Sequence, residues 1–161
     1  MSDYNAMELM VVVAARSLPN AASVVVGTGA PCAAAMLAQK THAPDLVVMF
    51  EAGGLGPKMR SAPVSVGDSH TFYHAIQASS MNTIMDACSR GCVDFAFLGA
   101  AQIDMFGNLN TTCIGDWKAP KTRFPGSGGG NDLASLCRHS IIMTPQDRRR
   151  FAAKLDFVTS P

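Results

Sequence analysis

A single acidic residue, Glu51, stands where a buried strand is expected to end. Five apolar residues, 46–50, precede it, and Gly53 and Gly54 follow. An apolar run of this length predicts a strand buried on both faces, as in a parallel sheet covered by helices. Ligands bind at the carboxyl ends of such strands, so the pattern favours a carboxylate at the mouth of a cleft. The alternative is a glutamate that faces water or pairs with a nearby lysine or arginine.

Turns of small residues are expected near the same edge of the sheet. Gly27 and Gly29 follow the apolar run that ends at Val26, and Gly99 follows the run that ends at Leu98. A further glycine-rich stretch, 126–130, precedes a predicted helix. Glycines let backbone N–H groups approach a ligand closely. Such donors beside a carboxylate nucleophile are suited to acyl transfer, because they stabilise the oxyanion while the carboxylate accepts the acyl group.

The turn at Gly27 and Gly29 also matches part of a dinucleotide-binding fingerprint. The full pattern needs a third glycine or alanine, where this chain has Cys32, and an acid near the end of the next strand, where it has Glu51. Because the match is partial, a nicotinamide dinucleotide stays open only as an alternative ligand.

The other nucleophiles and metal-ligating residues form no recognisable pattern. Ser65, Ser127, His70 and His74 lie in predicted loops or helix starts, without the strained turn that a serine nucleophile needs. Five cysteines, an odd number without the spacing of a disulfide scaffold or a zinc site, favour a reducing compartment. We therefore expect a cytoplasmic protein without a metal.

Composition limits the remaining classes of function. The 161 residues suffice for one domain, and a content of 48% hydrophobic and 16% charged residues hints at surface buried against a partner. A net charge of +1 gives no reason to expect nucleic acid or a membrane as the main ligand, and the arginines at 148–150 are expected to be solvated. The uncharged stretch 21–38 is interrupted by Gly27, Gly29 and Pro31, which favours strand, turn and helix over a membrane span.

The elements that would position these residues alternate along the chain. Predicted helices cover 7–18, 31–41, most of 71–89 and 133–137, and predicted strands cover 23–26, 46–50, 93–98, 110–114, 140–143 and 155–158. The loop 52–70 is long enough to be functional or a partner contact. The alternation predicts an α/β fold of three layers, with an open, mostly parallel sheet and helices on both faces.

A series of short motifs runs in fixed order along nearly the whole chain. They are VVGTGAP (25–31), THAPD (41–45), EAG (51–53), SVGD (65–68), GAAQID (99–104), GNLNTT (107–112), IGD (114–116), PKTRF (120–124), GSGG (126–129), RRF (149–151) and DFVTSP (156–161). Several motifs in fixed order are more specific than any one of them. The series resembles the glutaconate CoA-transferase β-subunit family, within the class I CoA-transferases.

This resemblance implies a covalent mechanism and a set of site residues. Glu51 would attack an acyl-CoA to give a mixed anhydride and then a glutamyl-CoA thioester, from which a second carboxylic acid collects the CoA. No cofactor would be bound permanently, since coenzyme A and acyl-CoA are substrates. The residues implied to bind CoA or the oxyanion are Gly27, Gly29, Gly99, Ala100, Gln102, Gly128 and Gly129. Gln102 would orient the intermediate.

The resemblance also implies a partner. A CoA-transferase α subunit would complete a hetero-oligomer and supply much of the pocket for a small, dicarboxylic acid. Residues 1–161 would form a β-subunit-like domain that lacks a carboxy-terminal portion. One residue departs from the family pattern, since Ala52 stands where the family commonly has serine. In addition, no residue is evident that would bind the second carboxylate of the acid. Candidate cations for that role are Lys58, Arg60, Lys121 and Arg123.

Three alternative functions stay open. The first is hydrolysis or decarboxylation of an acyl-CoA on the same scaffold, although relatives with those activities have lost the glutamate. The second is a non-catalytic structural subunit that completes a partner's active site. The third is the dinucleotide binder, which should show saturable binding of a nicotinamide cofactor.

Overall fold

The computed structural model describes residues 3–161, which contain four α-helices and ten strands. The helices are α1 (Ala6–Arg16), α2 (Ala30–Lys40), α3 (Met81–Ser89) and α4 (Gly130–Leu136). The strands are β1 (Ser23–Val25), β2 (Val47–Met49), β3 (Gly54–Leu55), β4 (Gln77–Ala78), β5 (Phe95–Leu98), β6 (Gln102–Ile103), β7 (Leu109–Asn110), β8 (Cys113–Ile114), β9 (Thr122–Arg123) and β10 (His139–Ile142). A 3₁₀ turn covers Ser69–Phe72.

Six of the strands form the central sheet, in the order β10-β5-β1-β2-β3-β4. The first four run parallel, with Val24 paired to both Val48 and Phe95, and the short β3 and β4 add an antiparallel edge. The carboxyl ends of β1, β2, β5 and β10 therefore meet at one edge of the sheet. The predicted mostly parallel sheet is confirmed.

Helices cover both faces of the sheet. Val24 and Val26 point into a cluster with the buried alanines of α1 and α2, whereas Val25 points into a cluster with Ile84 of α3 and Leu133 of α4. This division follows from the alternation of side chains along a strand. The predicted three-layer arrangement is therefore confirmed.

The starts of α1 and α2 follow from local sequence. The Asn5 side chain accepts a hydrogen bond from the Glu8 N–H, and the Glu8 carboxylate accepts one from the Asn5 N–H, which is a capping box. In α2, Pro31 occupies the first turn, where a missing N–H costs nothing. Among the described residues, no helix has the length and apolar composition needed to cross a membrane.

The predicted helix over 71–89 is wrong in its first half. The helix α3 begins only at Met81, after the cap residue Ser80, and Gln77 and Ala78 pair instead with β3. His74 has a φ of 49°, which breaks any helix at that point. Pairing with the sheet edge therefore overrides the helical pattern of the sequence.

Two predicted strands also differ from the structure. Residues 155–158 form no strand; the nearby backbone makes only isolated bridges, between Leu109 and Ser160 and between Ile103 and Phe151. The predicted strand 110–114 is split into parts of β7 and β8, because the Asn110 side chain accepts hydrogen bonds from the N–H groups of Thr112 and Cys113. That side chain turns the backbone between the two strands.

Candidate active site

Glu51 lies on a tight turn directly after β2. The N–H of Gly53 donates to the carbonyl of Phe50, and Phe50 itself is fully buried. Gly53 has a φ of 117°, a conformation that glycine adopts without strain. Its carbonyl accepts hydrogen bonds from both the N–H and the hydroxyl of Ser79. The turn is thus anchored on both sides and presents the half-buried Glu51 at the carboxyl edge of the sheet.

The Glu51 carboxylate reaches across to the start of α4. A β-carbon placed on Gly129 would lie 3.0 Å from Glu51 Oε1 and 3.1 Å from the terminal methyl carbon of Met85. Gly129 has φ −79° and ψ 0°, a conformation open to other residues and adopted in this chain by Arg90. A side chain at position 129 would therefore force the Glu51 carboxylate to move.

Among residues 3–161, Glu51 makes no hydrogen bond or ion pair. The described residues therefore do not support the alternative in which Glu51 pairs with a lysine or arginine. A half-buried carboxylate without a partner costs free energy, which is a common mark of a functional group.

Glu51 lines a cleft of about 270 Å³ at the carboxyl edge of the sheet. Four of the other residues predicted for the site line the same cleft: Gly27, Gly99, Gly128 and Gly129. They come from the turns after β1 and β5 and from the loop before α4. The structure brings them together because parallel strands end at a common edge.

The walls of the cleft are mostly apolar. They are formed largely by Val25, Val66, Phe97, Leu98, Leu109 and Leu133, and Glu51 is the sole charged side chain among the described residues that line it. Such a lining restricts the entry of water to the carboxylate.

Three hydroxyl residues of the cleft were not among the predicted site residues. Thr111, Ser127 and Ser160 all line it, and the Thr111 hydroxyl donates to the carbonyl of Gly126. The Ser127 hydroxyl accepts from the N–H of Asn131. Ser127 could have been found from its place inside the glycine-rich stretch, whereas Ser160 carries no local signal.

The segment that ends in Ser160 is fixed beside the cleft by side chains. The Thr159 hydroxyl accepts from the N–H of Thr111 and lies 2.7 Å from the Thr112 hydroxyl oxygen. The carbonyl of Thr159 accepts from the side-chain amide of Asn131. Backbone hydrogen bonds also join Thr159 and Ser160 to Leu109. The residues that follow the predicted strand 155–158 are thus held by side-chain contacts and one isolated bridge rather than by a longer strand ladder.

Three of the predicted site residues lie outside the Glu51 cleft. Gly29, with φ 77°, is the cap residue of α2, and Ala100 lines a neighbouring cavity. The buried Gln102 side chain accepts from the Asn110 amide and from the N–H of Asp156, and donates to the Asp156 carboxylate. These contacts satisfy Gln102 within the fold, so its role toward an intermediate stays a prediction.

The four candidate cations for a second carboxylate do not line the cleft either. Lys58 donates to the carbonyl of Pro44, Arg60 lies over the Tyr73 ring, and Arg123 lies 4.3 Å from the centre of the Trp117 ring. Lys121 follows a turn on the hairpin of β8 and β9. The described chain therefore contributes no cation to the cleft.

Neither a reactive cysteine nor a metal site is apparent among the described residues. Burial raises the pKa of Cys32 to about 11 and that of Cys137 to about 12, which keeps both as unreactive thiols at neutral pH. No group of side chains within residues 3–161 is arranged to hold a metal ion. Cys32, which stands where a dinucleotide fingerprint needs its third glycine, is fully buried.

Comparison with known proteins agrees with this geometry. Residues 7–161 match the Coenzyme A transferase family. The chain is 41% identical, over 99% of its length, to the B subunit of 3-oxoadipate CoA-transferase from Pseudomonas knackmussii, and it spans 62% of the length of that relative.

Two solved structures share the fold. Glutaconate coenzyme A-transferase of Acidaminococcus fermentans superposes with a TM-score of 0.93 at 37% identity, covering 99% of this chain and 63% of that one. The decarboxylase AibA/AibB superposes with a TM-score of 0.87 at 30% identity, covering 98% of this chain and 67% of that one. The match over nearly all of the chain, in sequence and in fold, shows that this protein belongs to the Coenzyme A transferase family.

Proposed function

We propose that this chain is the β half of a heteromeric CoA-transferase and that Glu51 is its nucleophile. The observation that carries the proposal is the position of the Glu51 carboxylate, which lies without a hydrogen-bonding partner in an apolar cleft, against the glycine-rich start of α4. A carboxylate nucleophile must keep its oxygens free to attack.

The transfer takes place in four steps that return the enzyme to its starting state. The Glu51 carboxylate attacks the thioester carbonyl of an acyl-CoA, and CoA leaves as a thiolate, which gives a mixed anhydride. The thiolate then attacks the Glu51 carbonyl, which releases the first acid and forms a glutamyl-CoA thioester. A second carboxylate attacks this thioester to form a new anhydride. The released thiolate attacks the new acyl carbonyl and regenerates Glu51.

The lining of the cleft supports transfer over hydrolysis. An anhydride or thioester is lost if water reaches it before the acceptor acid does. Apolar side chains such as Val25, Leu98 and Leu133 surround Glu51 and limit that access. Backbone N–H groups of the turns at Gly27, Gly99 and Gly129 would stabilise the oxyanion that forms at each attack.

The acid substrate is proposed to be a small dicarboxylate. Two relatives are named for dicarboxylic acids, 3-oxoadipate and glutaconate, which supports this class of substrate. The described cleft contains no cation to bind the second carboxylate. We assign that role to an α subunit, in line with the name of the first relative, which describes it as one subunit of its enzyme.

The decisive experiment traps the covalent intermediate. The protein, in the assembly in which it purifies, is incubated with an acyl-CoA without acceptor acid and then treated with borohydride, which reduces a thioester to an alcohol. We expect the tryptic peptide that contains Glu51 to lose one oxygen atom and gain two hydrogen atoms. The Glu51→Gln variant is the matched control and should show no such change.

Other results would replace the proposal. Consumption of acyl-CoA with water or with release of CO₂, without modification of Glu51, would establish hydrolysis or decarboxylation on this scaffold. Full transferase activity in an assembly that carries Glu51→Ala would show that this chain is a structural subunit.

A further inference from the structure

The Glu51 cleft is one end of a longer groove. It shares Gly99, Thr111 and Gly126 with a neighbouring cavity of about 410 Å³. That cavity in turn shares Ala101, Phe124 and Arg150 with a third one of about 490 Å³. The three cavities therefore form a continuous path along the surface, from the carboxylate of Glu51 to the guanidinium of Arg150.

Arg150 is held firmly at the far end of this groove. Its carbonyl accepts from the N–H of Ile103, and the next residue, Phe151, forms a bridge with the same strand. Its Nη1 donates to the carbonyl of Ala100 at 2.8 Å and lies 3.4 Å from the Thr144 hydroxyl oxygen. These contacts fix the direction of the guanidinium and leave part of its donor set unused.

Arg150 makes no ion pair within residues 3–161, and the nearby Asp147, which acts on it only through space, is already paired with Arg149. The Arg150 side chain is nevertheless half-buried. A partly buried, unpaired guanidinium costs free energy unless an anion joins it. Its planar donor set is well suited to phosphate oxygens.

The two neighbouring arginines are both exposed, and Arg149 is also paired. Arg149 is paired with Asp147, with Nη2 2.6 Å from Oδ2 and Nε 3.1 Å from the same oxygen, so the pair is neutral as a unit. The hydrogen bond from the Arg149 guanidinium lowers the pKa of the Asp147 carboxyl to about 2. Both side chains are therefore ionised at neutral pH, and their opposite charges cancel. Arg148 is exposed and lines none of the three cavities. Arg149 and Arg150 both line the third cavity, but of these two only Arg150 is without an ion pair among the described residues.

We propose that Arg150 binds a phosphate group at the nucleotide end of the thioester substrate. The inference rests on the proposed function, because it takes CoA as the ligand. Coenzyme A carries its thiol at one end, its phosphates at the other and an uncharged pantetheine arm between them. The groove matches that order, with the nucleophile at one end, Arg150 at the other and the uncharged Gly99, Ala100, Thr111 and Phe124 between.

The test is a binding measurement that does not depend on turnover. Isothermal titration of the protein, in the assembly in which it purifies, is carried out with CoA, dephospho-CoA and pantetheine, for the unmodified protein, Arg150→Met and Arg148→Met. We expect Arg150→Met to weaken the binding of CoA about ten- to a hundredfold, as for the loss of a hydrogen bond to a charged group. Pantetheine should bind all three proteins equally, and Arg148→Met should bind CoA as the unmodified protein does.

The three ligands also separate the sources of the phosphate. Weaker binding of both CoA and dephospho-CoA by Arg150→Met would place the pyrophosphate at Arg150. Weaker binding of CoA alone would place the 3′-phosphate there. A further check is salt: raising the ionic strength should weaken CoA binding to the unmodified protein more than to Arg150→Met.

Two outcomes overturn the inference. The first is unchanged CoA affinity in Arg150→Met, and the second is an equal loss for all three ligands, which would reveal a purely structural role. If Arg150→Met does not fold, Arg150→Lys replaces it: it keeps the charge without the planar fork, and a selective loss toward the phosphate-bearing ligands is again required. Thioester trapping at Glu51 is scored separately, so that failure of the transferase proposal and failure of the Arg150 assignment give different results.

Discussion

The carboxylate of Glu51 fills the space beside Gly129 that a side chain would need, although 78 positions separate the two residues in the sequence. Glu51 comes from the turn after β2, and Gly129 comes from the loop before α4. A β-carbon at position 129 would stand 3.0 Å from Glu51 Oε1, closer than side chains normally approach. The position of the proposed nucleophile therefore depends on the absence of a side chain on another element.

Gly129→Ala should impair transfer without unfolding the protein. The added methyl group forces the carboxylate aside, and small displacements of a reacting group are costly, so we expect kcat to fall about tenfold or more. The backbone conformation suits alanine, so the free energy of unfolding should change by less than about 1 kcal/mol. Steady-state kinetics and urea denaturation measure the two effects.

The matched control is Gly67→Ala, since a β-carbon at position 67 meets no atom within 4 Å and this residue does not line the cleft. It should keep both activity and stability. A Gly129→Ala variant with full kcat would show that the contact with Glu51 has no influence on the reaction.

Gly53→Ala should destabilise the fold itself. Position 53 has a φ of 117°, and a β-carbon there would collide with the carbonyl of Ser79 and stand 2.9 Å from the N of Ser80. Backbone strain and overpacking add up, so we expect a loss of more than about 2 kcal/mol in the free energy of unfolding. Urea denaturation followed by circular dichroism provides the measurement.

Gly91→Ala measures the cost of a strained backbone conformation alone, without the steric collision expected for Gly53→Ala. Gly91 has a φ of 69°, but a β-carbon added there would meet no atom within 4 Å, so only the left-handed conformation opposes alanine. We expect a loss of about 1–2 kcal/mol in the free energy of unfolding. Equal losses at positions 53 and 91 would mean that the backbone at Ser79 yields easily and does not anchor the Glu51 turn.

Asp94 should make stability depend on pH in the acid range. Hydrogen bonds from the N–H and hydroxyl of Ser23, together with the charges of Arg138 and His139, hold the pKa of the Asp94 carboxyl below its ordinary value. The folded protein therefore binds fewer protons than the unfolded chain around the ordinary pKa of an aspartate, so this contribution is complete above about pH 5 and is lost as the pH falls through the lowered pKa.

Asp94→Asn tests this effect. At pH 7 the variant should be less stable by roughly 1 kcal/mol, after allowance for the partial exposure of the carboxylate. The difference from the unmodified protein should shrink as the pH falls from about 5 through the lowered pKa of Asp94, because protonation removes the same charge. Urea denaturation at several pH values measures it, and other carboxylates cancel in the comparison. A difference independent of pH would exclude a lowered pKa at Asp94.

The sequence predicts the sheet and the placement of Glu51 well, because both follow from short-range patterns. The apolar runs before Glu51 and Gly99 indicate buried parallel strands, and such strands end at one edge. Gly27, Gly99 and Glu51 could therefore be expected together from the sequence. Gly129 was predicted from the resemblance, whereas its contact with Glu51 is visible only in three dimensions.

The parts that could not be predicted depend on contacts between distant segments. The need for Gly53 arises from the backbone of Ser79, and nothing near position 53 reveals it. Residues 155–158 alternate like a strand, but the nearby Thr159 is bound by Thr111 and Thr112 instead. Arg150 differs from Arg148 and Arg149 only through its neighbours in space, so a run of three identical residues could not show which one lines the groove without an ion pair.

The strand order has a consequence for the way the protein folds. The central strand β1 lies between β2 and β5, but β5 follows it by about 70 positions in the chain. A nascent chain can therefore close the β1-α2-β2 unit early, yet it must wait for β5 to leave the ribosome before β1 acquires its second neighbour. Pairing across such a distance slows folding and leaves an apolar strand edge open in the meantime. Chaperone demand during synthesis should thus be greatest between the emergence of β2 and that of β5.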